Sequence, residues 1–231
     1  MNFSERLQTS LAQIEENGLT RRLTSPLGLD FSSNDFLSLA NDVEIIKATI
    51  EGVRQFGIGS TGSRLLRGER EIFAEVERQF AQWKGAEKSL YFSSGYQANI
   101  GLISSITQKG DVIFSDELNH ASLIDGMRLS SAERRIFPHL DLEKITRFLR
   151  EKPGEGQKFL VTESLFSMDG DIAPLDKYAE ICAKTKTVLV VDEAHAVGIY
   201  GGTGSGLIEK FGLKHNQIIS INTAGKALGV S

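Results

Sequence analysis

Lys226 lies in Thr223-Ala224-Gly225-Lys226-Ala227-Leu228-Gly229, and upstream an apolar run, Val188-Leu189-Val190-Val191, ends in Asp192-Glu193-Ala194-His195. An amine, a carboxylate and an imidazole are therefore each set beside apolar or small residues. An amine can bond to an aldehyde carbon, and a carboxylate can keep a ring nitrogen protonated so that the ring accepts electrons. That combination points to pyridoxal phosphate chemistry. Asp192 as a plain helix cap and Lys226 as a surface lysine are the bland alternatives, and the company of His195 argues against both.

Two further segments fit the same chemistry. His120 follows Asp116-Glu117-Leu118-Asn119 at another expected strand exit, where a flat imidazole could stack on a pyridine face or move a proton. Ser93-Ser94-Gly95-Tyr96 opens an expected helix, whose first N–H groups can bind phosphate while Gly95 permits close approach. Thr223 can offer its hydroxyl to the same phosphate. His139 and His215 have no such neighbours and are expected to face solvent. No cysteine or second histidine near His195 has zinc-ligand spacing, so no metal site is expected.

The elements that must position these residues follow from periodicity. Apolar residues at intervals of three or four predict helices over 3–17, 42–55, 69–84, 96–108, 120–131, 140–151 and 174–184. Short apolar runs predict strands at 89–92, 111–114, 134–137, 158–163, 187–192 and 217–222, with a brief strand before the turn at Ser32-Ser33-Asn34-Asp35. Such alternation implies an α/β fold with a largely parallel sheet, whose carboxyl ends carry ligands. Gly57-Ile58-Gly59-Ser60-Thr61-Gly62 follows a helix rather than a first strand, which excludes the dinucleotide reading. Gly225-Lys226 lacks the spacing of a phosphate loop.

The 231 residues carry 26 basic and 30 acidic side chains, a formal charge of −4, which is no nucleic-acid footprint. Arg21-Arg22 and Arg134-Arg135 read as solvated pairs. The one cysteine, Cys182, has the place of a small hydrophobe in a helix. The N-terminus has no long apolar stretch and no segment suits a membrane span, so a cytoplasmic protein with no membrane or nucleic-acid partner is expected.

Taken together, Ser32–Leu37, Phe56–Arg64, Asn119–Leu123, Thr162–Asp171, Val191–His195 and Thr223–Lys226 resemble the α-oxoamine synthases, pyridoxal phosphate enzymes of fold type I. The resemblance implies a catalytic set of Lys226, His120, Asp192 and His195. Lys226 would bond the cofactor and shuttle protons, Asp192 would pair with the pyridine nitrogen, His195 with the phenolic oxygen, and His120 would stack on the ring. Gly95, Tyr96, Ser167 and Thr223 would help hold the cofactor. Asn34, Glu163 and His120 would line the substrate side, and Arg21, or Arg22 in its register, would meet the acyl substrate.

The reaction so implied joins an amino acid to an acyl-coenzyme A or acyl carrier protein with loss of carbon dioxide, in a homodimer. Gly59-Ser60-Thr61-Gly62-Ser63-Arg64 is nearer to members that use L-alanine and a pimeloyl thioester in biotin synthesis than to glycine-using members. A non-catalytic subunit on the same fold is the rival from another class, and the presence of Lys226 argues against it. Val197 and Ser205 depart from the usual threonine and arginine. Residues 1–40 are expected to form an N-terminal helix and substrate-side segment, and 41–231 a large cofactor-binding domain. The family pattern continues past Ser231 into a C-terminal domain, so the sheet is expected to be incomplete at that edge.

Overall fold

A computed structural model describes residues 2–25, 27–151, 156–214 and 218–230. His215, expected to face solvent, lies outside the described residues. The chain divides into two compact units, Met1–Ser33 and Asn34–Ser231. In the first, helix α1 (Phe3–Glu16) opens with a reciprocal cap. Asn2 Oδ1 accepts from the Glu5 amide at 2.9 Å, and Glu5 Oε2 accepts from the Asn2 amide at 2.8 Å. The strand expected near residue 31 does not form. The Asp30 carboxylate instead takes the Ser32 and Ser33 amides and bends the chain.

The second unit begins with helices α2 (Val43–Phe56) and α3 (Glu71–Lys84) and continues through α4 (Gly95–Ile106), β1 (Val112–Asp116), α5 (Ala121–Leu129), β2 (Glu133–Phe137) and α6 (Leu142–Arg150). After these come β3 (Lys158–Glu163), α7 (Leu175–Thr185), β4 (Thr187–Asp192), the short α8 (Leu207–Lys210) and β5 (Ile218–Ile221). The strands pair in parallel in the order β2-β1-β3-β4-β5. β1, β3 and β4 are apolar on both faces because helices cover both. Ile113, Phe159, Val161 and Val190 pack with Ile103 of α4 and with Leu123 and Met127 of α5. Phe114, Leu160, Leu189 and Val191 pack on the other face with Ile145, Leu149, Leu175 and Tyr178. This is the expected α/β architecture, and β2 carries its charged residues Glu133, Arg134 and Arg135 at the sheet's edge.

Residues 89–92 do not form the expected strand. Leu90 and Tyr91 stand exposed, and the segment is tied down by side chains instead: the Ser89 hydroxyl donates to the Glu77 carbonyl at 2.7 Å and the Tyr91 amide to Glu77 Oε1 at 2.8 Å. An apolar run without a neighbouring strand has no ladder to join. Sequence patterning also missed α8 and the single wide turn Arg64–Gly68, both too short to show a period.

Candidate active site

The strand order reverses direction between β1 and β3, and in open parallel sheets a crevice forms beyond the carboxyl ends at such a point. Asp192, Glu163, His120, His195 and Lys226 lie along this rim. Asp192 ends β4 directly opposite Glu163, which ends β3. Facing partners in a parallel ladder point to the same side of the sheet, here toward α4 and α5. Glu193, one residue on, points to the other side.

Asp192 is buried. Its Oδ1 accepts from the Ala194 amide at 2.8 Å, and its Oδ2 accepts from Asn99 Nδ2 of α4 at 2.8 Å. Glu163 is also buried and accepts the His120 amide at 2.7 Å. Burial first, then the Asp192 charge beside it, pushes the Glu163 carboxyl up to about 7. His120 caps the start of α5. The Ser122 amide donates to its Nδ1 at 3.2 Å, and the Ser122 Oγ lies 2.7 Å from the same nitrogen. Tyr96, in the first turn of α4, meets the His120 ring edge-on at 6.3 Å, and its phenol donates to Asp125. That bond raises the Tyr96 pKa above its ordinary value.

Lys226 follows β5 and is half-buried. Its Nζ lies 2.6 Å from His195 Nε2. Two such nitrogens can share a bond only if one gives up its charge. Burial and then the lysine hold His195 down to about 4. Burial also lowers the Lys226 amine, against the opposing pull of Asp192 and Glu163. The loops bearing the two groups touch because Gly198, at φ +86°, lets the chain cross so near Ala227 that an added Cβ would come within 2.8 Å of the Ala227 Cβ. Phe36 lies beside the His195 ring at 5.9 Å.

Ser94 caps α4 through the Gln97 amide at 3.2 Å, and a Cβ at Gly95 would lie 3.7 Å from the Thr223 side chain. The helix start and Thr223 therefore lie close together. Thr223 Oγ1 also accepts the Gly225 amide at 3.2 Å, fixing the turn into Lys226. A helix start that can take an anion, a half-buried amine of lowered basicity and a buried carboxylate form a donor set that fits pyridoxal phosphate. No group of three or more His, Cys, Asp or Glu among the described residues could hold a metal ion.

The remaining expected residues are not in this bonded set. Ser167 is exposed in the turn after β3, and Asn34 is exposed at the start of the second unit. Arg21 and Arg22 belong to the first unit and are exposed there. His139, expected to face solvent, is instead partly enclosed. Its Nδ1 lies 2.9 Å from Asp116 Oδ1, its Nε2 3.3 Å from Asp171, and its ring stands edge-on to Phe166 at 4.5 Å. Two carboxylates distant in sequence, one ending β1 and one in the turn after β3, supply the company it lacks locally. Burial opposes its protonation, but those carboxylates win and raise its pKa.

Sequence reading missed Asn99 and Ser122, which join Asp192 to His120, and also missed Lys84. Lys84 Nζ meets Glu193 Oε2 at 2.6 Å in a fully buried pair and also donates to the Ser205 carbonyl. The neighbouring Trp83 Nε1 donates to the Thr203 carbonyl at 3.1 Å, so the end of α3 holds the 198–206 loop in place. Val197 and Ser205, where the chain departs from the family pattern, are both buried. An asparagine within the apolar α4 stretch Ala98–Leu102 was the available signal, since an amide there disfavours helix unless it has a tertiary partner.

Comparison with known proteins identifies the family. The chain belongs to the family described as aminotransferase class I and II, which it matches over residues 27–231, and within it to the α-oxoamine synthases of fold type I. It is 43% identical to 8-amino-7-oxononanoate synthase of Lysinibacillus sphaericus, over 98% of this chain and 62% of that protein. A serine palmitoyltransferase from S. paucimobilis with a bound PLP–myriocin aldimine superposes with a TM-score of 0.87 at 30% identity, covering 100% of this chain and 64% of that one. An 8-amino-7-oxononanoate synthase from Francisella tularensis superposes at 0.75 with 33% identity, covering 87% and 56%. The chain thus spans about 60% of the length of these relatives. Among the described residues no helix is long and apolar enough to cross a membrane.

Proposed function

We propose that the whole protein is a pyridoxal phosphate-dependent C-acyltransferase that condenses L-alanine with a pimeloyl thioester, on coenzyme A or a carrier protein, and releases 8-amino-7-oxononanoate and carbon dioxide. The observation that carries the reading is the 2.6 Å approach of Lys226 Nζ to His195 Nε2 on the rim that also holds Asp192. The 43% identity to the Lysinibacillus synthase supports the choice of substrates. Bound on this rim, the cofactor ring would supply an electron sink for charge developing at the α-carbon of the amino acid.

The chain's own groups then divide the work. Lys226, whose amine burial makes less basic, would be the residue that holds the cofactor aldehyde and would later take the α-proton. Asp192, fixed by the Asn99 amide, would keep a proton on the ring nitrogen. His195 would bond the phenolic oxygen, the α4 start with Thr223 would bind the phosphate, and Tyr96 and Ser167 would add contacts. His120 covers the ring face, and Glu163 and Asn34 line the substrate side.

A homodimer in the cytoplasm completes the reading. Val43, Ile46, Ile50 and Val53 support the dimer, because they form one apolar stripe along α2 and stay 43–61% exposed. A second reading, a member that takes another amino acid such as serine or glycine, has the serine palmitoyltransferase superposition in its favour. Product identification decides between them. Full-length protein is supplied in turn with alanine, serine and glycine against pimeloyl, acetyl and palmitoyl thioesters. Alanine with pimeloyl thioester should give the 8-amino-7-oxononanoate mass at the highest rate, and a faster serine or glycine product overturns the substrate choice.

A further inference from the structure

The carboxylate of Asp192 and the ring of His120 stand on different elements, yet an unbroken chain of side chains joins them. Asn99 Nδ2 donates to Asp192 Oδ2 at 2.8 Å and to Ser122 Oγ at 2.8 Å, and Ser122 Oγ lies 2.7 Å from His120 Nδ1. The direction of each bond follows from chemistry. An ionised carboxylate only accepts, so Asn99 must turn its NH2 toward Asp192. The second proton of that NH2 goes to Ser122 Oγ, which accepts there and is free to donate onward.

At the far end, the Ser122 backbone N–H can only donate, so His120 Nδ1 must present a lone pair. The proton of the neutral ring then sits on Nε2, on the edge turned away from Ser122. The orientation of Asn99 is maintained against a cost, since its Oδ1 is buried and has no hydrogen-bond partner in the structure. Turning the amide over would put that oxygen against the Asp192 carboxylate, which is worse.

The backbone makes room for this contact. Gly126, one turn beyond Ser122 on α5, lies where a Cβ would meet the Asn99 carbonyl oxygen at 3.0 Å, Ile103 Cβ at 3.2 Å and Ile100 Cα at 3.3 Å. The missing side chain lets α5 lie close against α4, and that closeness brings Ser122 within reach of Asn99. Both residues are almost fully buried, so water does not compete for these bonds.

We propose that Asn99 and Ser122 are positioning residues that transmit the ionised state of Asp192 to His120 and fix His120 as the Nε2–H tautomer, so that it offers the site an N–H donor rather than a lone pair. Calling His120 a group that faces the cofactor rests on the function proposed above; the tautomer itself does not.

The test reads the tautomer directly, by long-range proton–nitrogen NMR on the 231-residue chain labelled with nitrogen-15 histidine, without cofactor. The wild type should show His120 with its proton on Nε2. Ser122→Ala and Asn99→Ala should each shift the tautomer ratio toward Nδ1–H by about fivefold, the equivalent of one hydrogen bond of about 1 kcal/mol. The double variant should shift it no further than one alone, because the two act in series. A wild-type ring carrying its proton on Nδ1 overturns the proposal, whatever the variants do. So does an unchanged ratio in variants whose other histidine signals match the wild type.

Pyridoxal phosphate titration of the same samples, followed by absorbance, separates the two claims. A chain that fails to bind the cofactor but keeps the Nε2–H tautomer removes the functional reading and leaves the relay standing. If it does bind, Asn99→Ala should weaken affinity about tenfold through the loosened Asp192.

Discussion

Lys84 and Lys226 both bring an amine below the surface, and their surroundings differ in kind. Lys84 ends in a closed arrangement: its side chain is 3% exposed and Glu193 opposite is 0% exposed, with the Ser205 carbonyl taking another proton. Glu193 spends its second oxygen on the Ile208 amide at 3.0 Å. Lys226 meets an imidazole instead of a carboxylate, while Glu163 and Asp192 are crowded nearby with no cation in direct contact among the described residues. Asp192 and Glu193 are consecutive, so one strand end feeds both arrangements by pointing successive side chains to opposite faces. On one face charge is matched and the pair holds the fold. On the other it is left unmatched, which makes protons easy to move.

The sharpest break of this contrast is stability. Lys84→Met leaves the Glu193 carboxylate buried and unpaired and should lower the unfolding free energy by about 3–5 kcal/mol. Adding Glu193→Leu should recover a large part of that loss. Lys226→Met removes a lysine that burial already disfavours and should change stability by less than about 1 kcal/mol. Denaturant titration of the variants checks all three, and equal costs at the two lysines would erase the distinction.

The pH dependence sharpens it next. Glu163 has a folded pKa of about 7 against an ordinary 4.5, so the folded state holds the extra proton and its contribution to stability falls as pH rises through that window. His195 runs the other way: with about 4 folded against 6.5, the unfolded state holds the extra proton and stability rises with pH between them. The two slopes oppose each other between about pH 4.5 and 6.5. Glu163→Gln should therefore unmask a rise in stability with pH, and His195→Gln a fall, each on the order of 1–2 kcal/mol after solvent screening. Parallel melting profiles in wild type and both variants would contradict the charge imbalance.

A smaller effect concerns the crossing of the loops. Gly198→Ala adds a Cβ 2.8 Å from Ala227 at a φ of +86°, and should cost about 1–3 kcal/mol. Because the strain falls beside Lys226, it should also slow cofactor attachment to that lysine, measured by absorbance. Gly110→Ala, at φ +100° but with nothing near its Cβ, should leave attachment unchanged.

Much of this rim was legible in the sequence because its residues sit at the ends of apolar runs. Val188–Val191 announces a strand, so Asp192 and His195 are placed by counting from its end, and Lys226 is placed likewise after β5. The closed pair was not legible. Lys84 and Glu193 are brought together by tertiary packing of α3 against the 198–206 loop, and no local pattern encodes a contact across 109 positions. Asn99 was hidden for the same reason, inside a stretch read for its helical period. His139 was misread because Asp116 reaches it from the end of β1 and Asp171 from the turn after β3. The strand expected at 89–92 failed because apolar character specifies burial, whereas a strand also requires a neighbour with free backbone groups.

The most direct measurement is attachment of the cofactor at Lys226. The folded chain is incubated with pyridoxal phosphate, its absorbance recorded, and the complex reduced with borohydride and mapped by peptide mass. The predicted result is a reduced pyridoxyl adduct on Lys226 alone, absent in Lys226→Met and absent from Lys84. Adducts scattered over exposed lysines, or none on a chain shown to be folded, would contradict the claim that this rim is built to hold pyridoxal phosphate.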